Sequence, residues 1–379
     1  MYFSLFIVQF SFKSINNKMK NNKIIKYRFL SNKCNLYFSL FTFHFSFIFI
    51  LLLASCTNEQ KSYYDAIPSQ SKALVRVASE DRARASLELF LGDGALTASE
   101  KTGVDMSSPV YLFVAPDGSF GACAKVKDDD DVEDLLEALA KSGKASEVKE
   151  LKDCKYAVVN RNFLVAYNED ALVAVGPILA SDEQKVAKRM LRYLALDPER
   201  GIGATDIFKE INNAKSPISL IASVSVMPKK LVVPFLIGTP TGTNTDDVLL
   251  KADVTVSDSV LTLVGSTTSD NLLIRQGIGN AKNILAKGNS EEIIRVMESN
   301  RDFMTMLNSG GFREKLQKVQ GRMLITQSGN DTEVETLQEA DDNTIMKVVV
   351  DLKSLDKEVM SIFEPFLGSI STINYKIIK

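Results

Sequence analysis

Two hydrophobic periods alternate along residues 67–379. A period near two predicts strands, and one near 3.6 predicts helices. The turn around Ile67-Pro68 leads into a strand at Ala73–Val77. A helix follows from Ser79, a candidate N-cap with Asp81 in the first turn. Its apolar positions are Ala85, Leu87, Leu89, Phe90 and Leu91, and Gly92 ends it. Val110–Val114 and Phe120–Val126 flank Ala115-Pro116-Asp117-Gly118, which predicts a hairpin. Val132, Leu135, Leu136 and Leu139 then recur at helical spacing up to Gly143. Ala157–Val159, Phe163–Tyr167 and Leu172–Val175 are separated by Asn160–Asn162 and Asn168–Asp170, which predicts a meander of short antiparallel strands. Ser181 opens a basic amphipathic helix through Leu196, stopped by Pro198.

The second half has the same grammar. Thr205–Ala214 is helical, and Ile218–Val226 alternates as a strand. Thr239–Asp247 is polar and reads as a loop. Val248–Val256 and Val260–Ser266 form a hairpin around Ser257–Ser259. Ser290–Leu307 is a helix with Glu291 and Glu292 in its first turn, which the helix dipole favours. A short helix at Phe312–Val319, a strand at Arg322–Gln327, a polar loop over Gly329–Asn343, a strand at Ile345–Val350 and a helix over Ser354–Leu367 complete the chain. Three strands (Ala73–Val77, Ile218–Val226, Ile345–Val350) each run into an apolar segment ending in a Phe-Leu-Gly-like sequence at Gly92, Gly238 and Gly368. The expectation is an α+β fold of mostly antiparallel sheets with helices packed on one face, in two related subdomains, 67–200 and 201–379.

The segment before residue 56 changes the picture. Lys20, Lys23, Lys26, Arg28 and Lys33 precede an apolar run that ends in Leu53-Ala54-Ser55-Cys56, with no acidic residue before Cys56. A basic region, an apolar core and small residues at a cut make a secretory signal. Residues 1–55 are expected to be the signal, starting at Met19, and 56–66 a tether. A Cys directly after Leu-Ala-Ser resembles the lipobox of bacterial lipoproteins. That resemblance implies that Cys56 is acylated and begins the mature chain. The alternative is an uncleaved transmembrane helix over Leu36–Ser55, which is about long enough to span a bilayer.

Removing the signal also removes seven Lys and Arg. The remaining 324 residues carry 38 basic and 47 acidic side chains, a net charge near −9. Such a chain is a poor nucleic-acid binder, because that affinity rests on neutralising phosphates. His44, inside the signal, is the only His, and there is no Trp. The mature chain therefore has no Ser-His-Asp triad, no Cys-His pair and no His-ligated metal. Of four Cys, Cys34 leaves with the signal and Cys56 is the lipid site. Cys123 and Cys154 remain, and in an oxidising compartment they are either a disulfide or two buried thiols.

The tether, the opening Ile67, Pro68, Leu74, Val75, Val77 and the stretch Val348–Leu355 resemble uncharacterised Bacteroidetes-type lipoproteins, a domain-of-unknown-function family. The resemblance implies an exported, lipid-anchored protein and carries no established activity.

Each further motif has a functional and a plainer reading. Asp128, Asp129, Asp130 and Asp131 are a weak calcium candidate, but lack the spacing of a calcium loop and read better as a helix start. Gly201-Ile202-Gly203 and Gly277-Ile278-Gly279 do not complete a phosphate loop and read as loop or helix-stop glycines. Ser69/Lys72, Ser146/Lys149 and Ser354/Lys357 have the spacing of a Ser-Lys pair without its companion motifs. Met297, Phe303, Met304, Met306 and Leu307 stripe one helix and read as core. The loops Pro240–Asp247 and Gly329–Asp342 are the surface candidates for recognition. Together these point to an outer-membrane lipoprotein without cofactor, facing the periplasm or the cell exterior. It is expected to act by binding an envelope protein or an external ligand, and its membrane partner is the bilayer itself through the lipid. The rival readings are a His-independent hydrolase, using carboxylate or Ser-Lys chemistry, and a structural spacer.

Overall fold

The computed structural model describes residues 61–379 except 97–100, 228–231, 258, 288, 300–303, 305–307, 309–310, 329–330, 339–343, 355–371 and 379. The expected signal, Cys56, the first residues of the expected tether, Phe303, Met306, Leu307, Lys357 and nearly all of the helix expected over Ser354–Leu367 lie outside the described residues. Lys61–Lys379 form one compact unit.

Among the described residues, fourteen strands join into one open sheet. They are β1 (Ala73–Val77), β2 (Val110–Val114), β3 (Phe120–Lys125), β4 (Lys149–Leu151), β5 (Cys154–Val159), β6 (Phe163–Tyr167), β7 (Ala171–Gly176), β8 (Ile218–Ser223), β9 (Leu249–Ser257), β10 (Val260–Thr268), β11 (Met323–Ser328), β12 (Asp331–Thr336), β13 (Thr344–Asp351) and β14 (Thr372–Ile378). Their order is β12-β11-β13-β14-β10-β9-β8-β1-β2-β3-β7-β6-β5-β4. Two neighbouring pairs, β10–β14 and β11–β13, are parallel and the rest antiparallel. The seam between the halves is β1–β8, where Ala73 faces Ala222 and Val77 faces Ile218. The sheet runs unbroken across residue 200, where the sequence suggested a boundary.

Seven described helices accompany the sheet: α1 (Glu80–Leu91), α2 (Asp129–Lys141), α3 (Glu183–Leu194), α4 (Asp206–Asn212), α5 (Leu272–Lys287), α6 (Ser290–Glu298) and α7 (Phe312–Gln317). On one face, α1 and α2 bury Leu87, Phe90, Val132 and Leu136 against Val77, Ala122, Val165 and Ala174. Farther along that face, α5, α6 and α7 bury Ile278, Leu285, Ile293 and Leu316 against Leu250, Leu263, Ile325 and Val348. Each such side chain, fully buried, contributes about 1.5–3 kcal/mol.

The helices do not keep to one face. α3 and α4, with a 3-10 turn at Tyr63–Ala66, cover the other side of the N-terminal half over Leu74, Phe113, Leu164 and Val173. The cause is in the strands: β7 is buried at all six positions and β3 at four of six. Strands apolar on both sides need cover on both. Farther along that second face, β9 presents Lys251, Asp253 and Thr255, half-buried or exposed, in the alternation of a strand with one polar side.

Of the two readings of the remaining thiols, the structure has the second. Cys123 and Cys154 are free and buried. They sit on β3 and β5, three strand positions apart in the order β3-β7-β6-β5. Three interstrand spacings are about 14 Å, far beyond the reach of a disulfide. The loop expected over Gly329–Asn343 contains β12, an edge strand whose one buried residue is Val334. β14 and α5 were not anticipated.

Candidate functional site

Order begins before Ile67. Lys61 Nζ donates to the carbonyl of Leu194, 2.7 Å away at the end of α3. Ser62 N donates to Asp65 Oδ2 at 2.8 Å in a capping box, and Tyr63 Oη donates to the carbonyl of Pro109 at 2.7 Å. Tyr64 packs on Phe208, with ring centroids 4.3 Å apart, and Phe208 packs on Tyr111 at 5.3 Å. Tyr111 Oη donates to Asn212 Oδ1 at 2.6 Å, and Cys123 Sγ donates to the carbonyl of Tyr63 at 3.3 Å. Burial pushes the phenols of Tyr63 and Tyr111 and the Cys123 thiol well above their ordinary ranges. All three stay protonated at physiological pH and act as donors and packing groups.

Gly201 and Gly203 serve this dock. Gly201 pairs with Pro68 in an isolated bridge, and Ile202 N donates to the carbonyl of Ile67 at 2.9 Å. A Cβ on Gly201 would stand 2.7 Å from the Asp65 backbone, and one on Gly203 2.6 Å from Asp65 Oδ1. The glycines let two backbones close on each other, a structural use.

The acidic run is a helix start. Asp128 is the N-cap of α2 and accepts from Asp131 N at 3.2 Å, with Asp129–Asp131 in the first turn. Lys101 Nζ lies 3.9 Å from Asp131, and Lys155 pairs with Glu133. No group of three or more His, Cys, Asp or Glu able to hold a metal occurs among the described residues. The Ser-Lys candidates have other partners: Lys72 faces Asp246 at 3.6 Å, Lys149 pairs with Glu183 at 2.6 Å, and Ser146 Oγ accepts from Val158 N at 2.9 Å. Met297 is buried and Met304 packs on the same core.

The Pro240–Asp247 loop is tied down. Asn244 Oδ1 accepts from Asp246 N at 3.1 Å, and Ser269 Oγ donates to the carbonyl of Asp247 at 2.6 Å. That bond leads into α5, the element that carries the cavity sequence reading missed. Asn271 Oδ1 accepts from Leu273 N at 3.0 Å as the helix begins. Ile274, Ile278, Ala281 and Leu285 face the core with helical spacing. Gly277 lies mid-helix because the turn at Gly238 presses on it. A Cβ on Gly277 would stand 2.2 Å from the Gly238 carbonyl oxygen, and Gly238 itself has φ +84°.

The outer side of α5 lines a groove of about 690 Å³, formed among the described residues by Gln276, Gly279, Asn280, Lys282, Asn283 and Ala286. A Cβ on Gly279 would meet nothing within 4 Å, so this glycine is not required by packing. Three amides supply donors and acceptors together. Burial holds the Lys282 ammonium below the ordinary lysine range, since it leaves the charge short of solvation. Leu272 and Leu273, 57% and 70% exposed, stand at the helix entrance. The arrangement can hydrogen-bond a polar ligand and offers one poorly solvated cation to an anion. Among the described residues no helix is long and apolar enough to cross a membrane.

No curated protein matches this chain. Two solved structures, crystal forms I and III of TP0453, are similar to it at 10% and 11% identity, with TM-scores of 0.34 and 0.33. The alignments cover 62% and 60% of this chain and 86% and 88% of TP0453. A family model described as a domain of unknown function, DUF4836, matches residues 97–310, more than half of the chain and a span that includes β2 to β10 and the α5 groove. The chain belongs to the DUF4836 family of proteins with a domain of unknown function.

Proposed function

We propose that this chain is an exported lipoprotein of the outer membrane, acylated at Cys56, that works by binding a small polar ligand with one anionic group in the α5 groove. The observation that carries the binding reading is the outward face of α5. Gln276, Asn280, Asn283 and Lys282 line one groove, and burial leaves the Lys282 charge short of solvation. An anionic group would restore what burial removes from that ammonium, and hydroxyls or amides of the ligand would engage the three side-chain amides. The anchoring reading is supported by Leu53-Ala54-Ser55-Cys56 and the basic residues before it.

Titration of the full chain with acidic monosaccharides and short acidic peptides, read by isothermal titration calorimetry, tests the groove. Binding is expected to weaken about tenfold or more in Lys282→Gln, the loss of one charge-assisted hydrogen bond. Affinity unchanged by that substitution would rule out the groove as the site. For the anchor, protease shaving of intact cells alongside Cys56→Ala is decisive. A mature chain released from the membrane by Cys56→Ala supports acylation. A chain that stays membrane-bound at uncleaved size points to a transmembrane anchor.

A further inference from the structure

We infer that the outward basic face of α3, formed by Lys185, Lys188 and Arg192, lies against the anionic headgroups of the membrane in which Cys56 is anchored. The inference rests on the acylation of Cys56 proposed above and adds an orientation to it.

Three observations converge on this face. The first is the division of charge on α3. Val186, Ala187, Met190 and Leu194 are buried against the second face of the sheet. Lys185, Lys188 and Arg192, spaced i, i+3 and i+7, share the opposite side and are exposed. None of the three has an ion-pair partner among the described residues. The other charged groups of the helix are engaged, Glu183 with Lys149 and Arg189 with Asp117. Asp197 and Glu199 come only after the helix, beside Arg200.

The second is where the chain enters the fold. Lys61 is bonded to the last residue of α3 through the Leu194 carbonyl. Five peptide steps separate Cys56 from Lys61, so the acylated residue stays within roughly 18 Å of the Lys61 backbone. Twelve residues of α3 span about the same distance. The face therefore cannot be far from the bilayer that holds the lipid.

The third is the contrast with the rest of the molecule. A mature chain of net charge near −9 is repelled as a whole by an anionic surface. An uncompensated basic stripe beside the anchor is the part that such a surface attracts, and the attraction is strongest within a Debye length.

The test uses the full lipidated chain reconstituted into vesicles of phosphatidylcholine, alone or mixed with phosphatidylglycerol. A water-soluble acetylating reagent reports the accessibility of each lysine by mass spectrometry. Lys185 and Lys188 are expected to react several-fold more slowly on the mixed vesicles, and raised salt is expected to abolish the difference. Lys287 and Lys318, exposed on or beside α5 and α7, are expected to react alike on both. Arg192→Gln, at an exposed position with no ion-pair partner among the described residues, is expected to reduce the protection of the two lysines by up to roughly fivefold, the weight of one basic residue at such a surface. Equal reactivity of Lys185 and Lys188 on the two vesicle types overturns the inference. Flotation in high salt of the wild type against Cys56→Ala reads the anchor separately. Flotation lost in Cys56→Ala, with unprotected lysines in the wild type, keeps the anchor and rejects the face. Flotation unchanged in Cys56→Ala, with protected lysines, rejects the acylation and keeps the face.

Discussion

Asp105 shows how one side chain sets a pH dependence. Its carboxylate accepts from Ser107 Oγ at 2.5 Å and Ser107 N at 3.1 Å, and from Ser108 Oγ at 2.9 Å, with Lys125 Nζ 3.3 Å away. The Ser107 hydroxyl, foremost among these, helps hold the carboxyl down at about 2, below the ordinary 3.8. A depressed carboxylate contributes stability above its unfolded value and loses it as pH falls through its folded value. The contribution is therefore complete at neutral pH and fades between about 4 and about 2. Discounted for the solvent around it, it is on the order of 1 kcal/mol. Asp105→Asn is expected to lower stability by about that amount at neutral pH and by much less near pH 2, as read by denaturant unfolding at the two pH values. At this scale the sequence is legible where a residue acts on its own neighbours. The run Asp128–Asp131 reads as a helix start from the local sequence alone, because carboxylates in a first turn answer the helix's own dipole. The thiols Cys123 and Cys154 do not read so directly, because only the strand order β3-β7-β6-β5 separates them, and strand order is a long-range property.

α5 separates two uses of glycine within one helix. Gly277 is pressed by the Gly238 turn, whereas Gly279 faces the open groove. Gly277→Ala must displace a backbone carbonyl and is expected to destabilise by about 1–3 kcal/mol. Gly279→Ala meets nothing and is expected to stabilise by up to about 1 kcal/mol, since alanine is the better helix former. Its methyl also projects into the groove, so the same variant is expected to bind ligand less tightly. Urea unfolding of both variants beside the wild type checks the pair, and a shared sign would contradict the division. The glycines also explain why this helix escaped sequence reading. Ile274, Ile278, Ala281 and Leu285 have the right spacing, but two glycines in three residues resemble a loop. β12 escaped because an edge strand with one buried residue has no apolar alternation to detect. β14 does alternate, through Ile373, Tyr375 and Ile377, and its position between β10 and β13 is set by pairing with strands far away in sequence. The hairpins β2–β3 and β9–β10 and the β5–β6–β7 meander were legible because their turns and partners are local.

At the scale of the molecule, the first strand of each half is the seam. β1 and β8 pair antiparallel in the middle of the order, and each opens an antiparallel run, β1-β2-β3 on one side and β8-β9-β10 on the other. One sheet and three clusters sharing its faces make a single body. Ile218 contacts the clusters of both halves, so the seam is also a packing joint. Leu220 lies at its centre, opposite Val75 on β1 and Ala252 on β9. A proline there removes a ladder donor from a strand paired on both sides and fixes φ near a value the sheet does not use. Leu220→Pro is expected to cost about 3 kcal/mol or more, and the loss must be felt on both sides of the seam. Hydrogen exchange read by mass spectrometry resolves the two sides: amides of β3 and β7 are expected to lose protection together with those of β10 and β13. Protection kept by β3 and β7 while β10 and β13 exchange freely would mean that the halves fold independently and that the shared sheet is a docking of two domains.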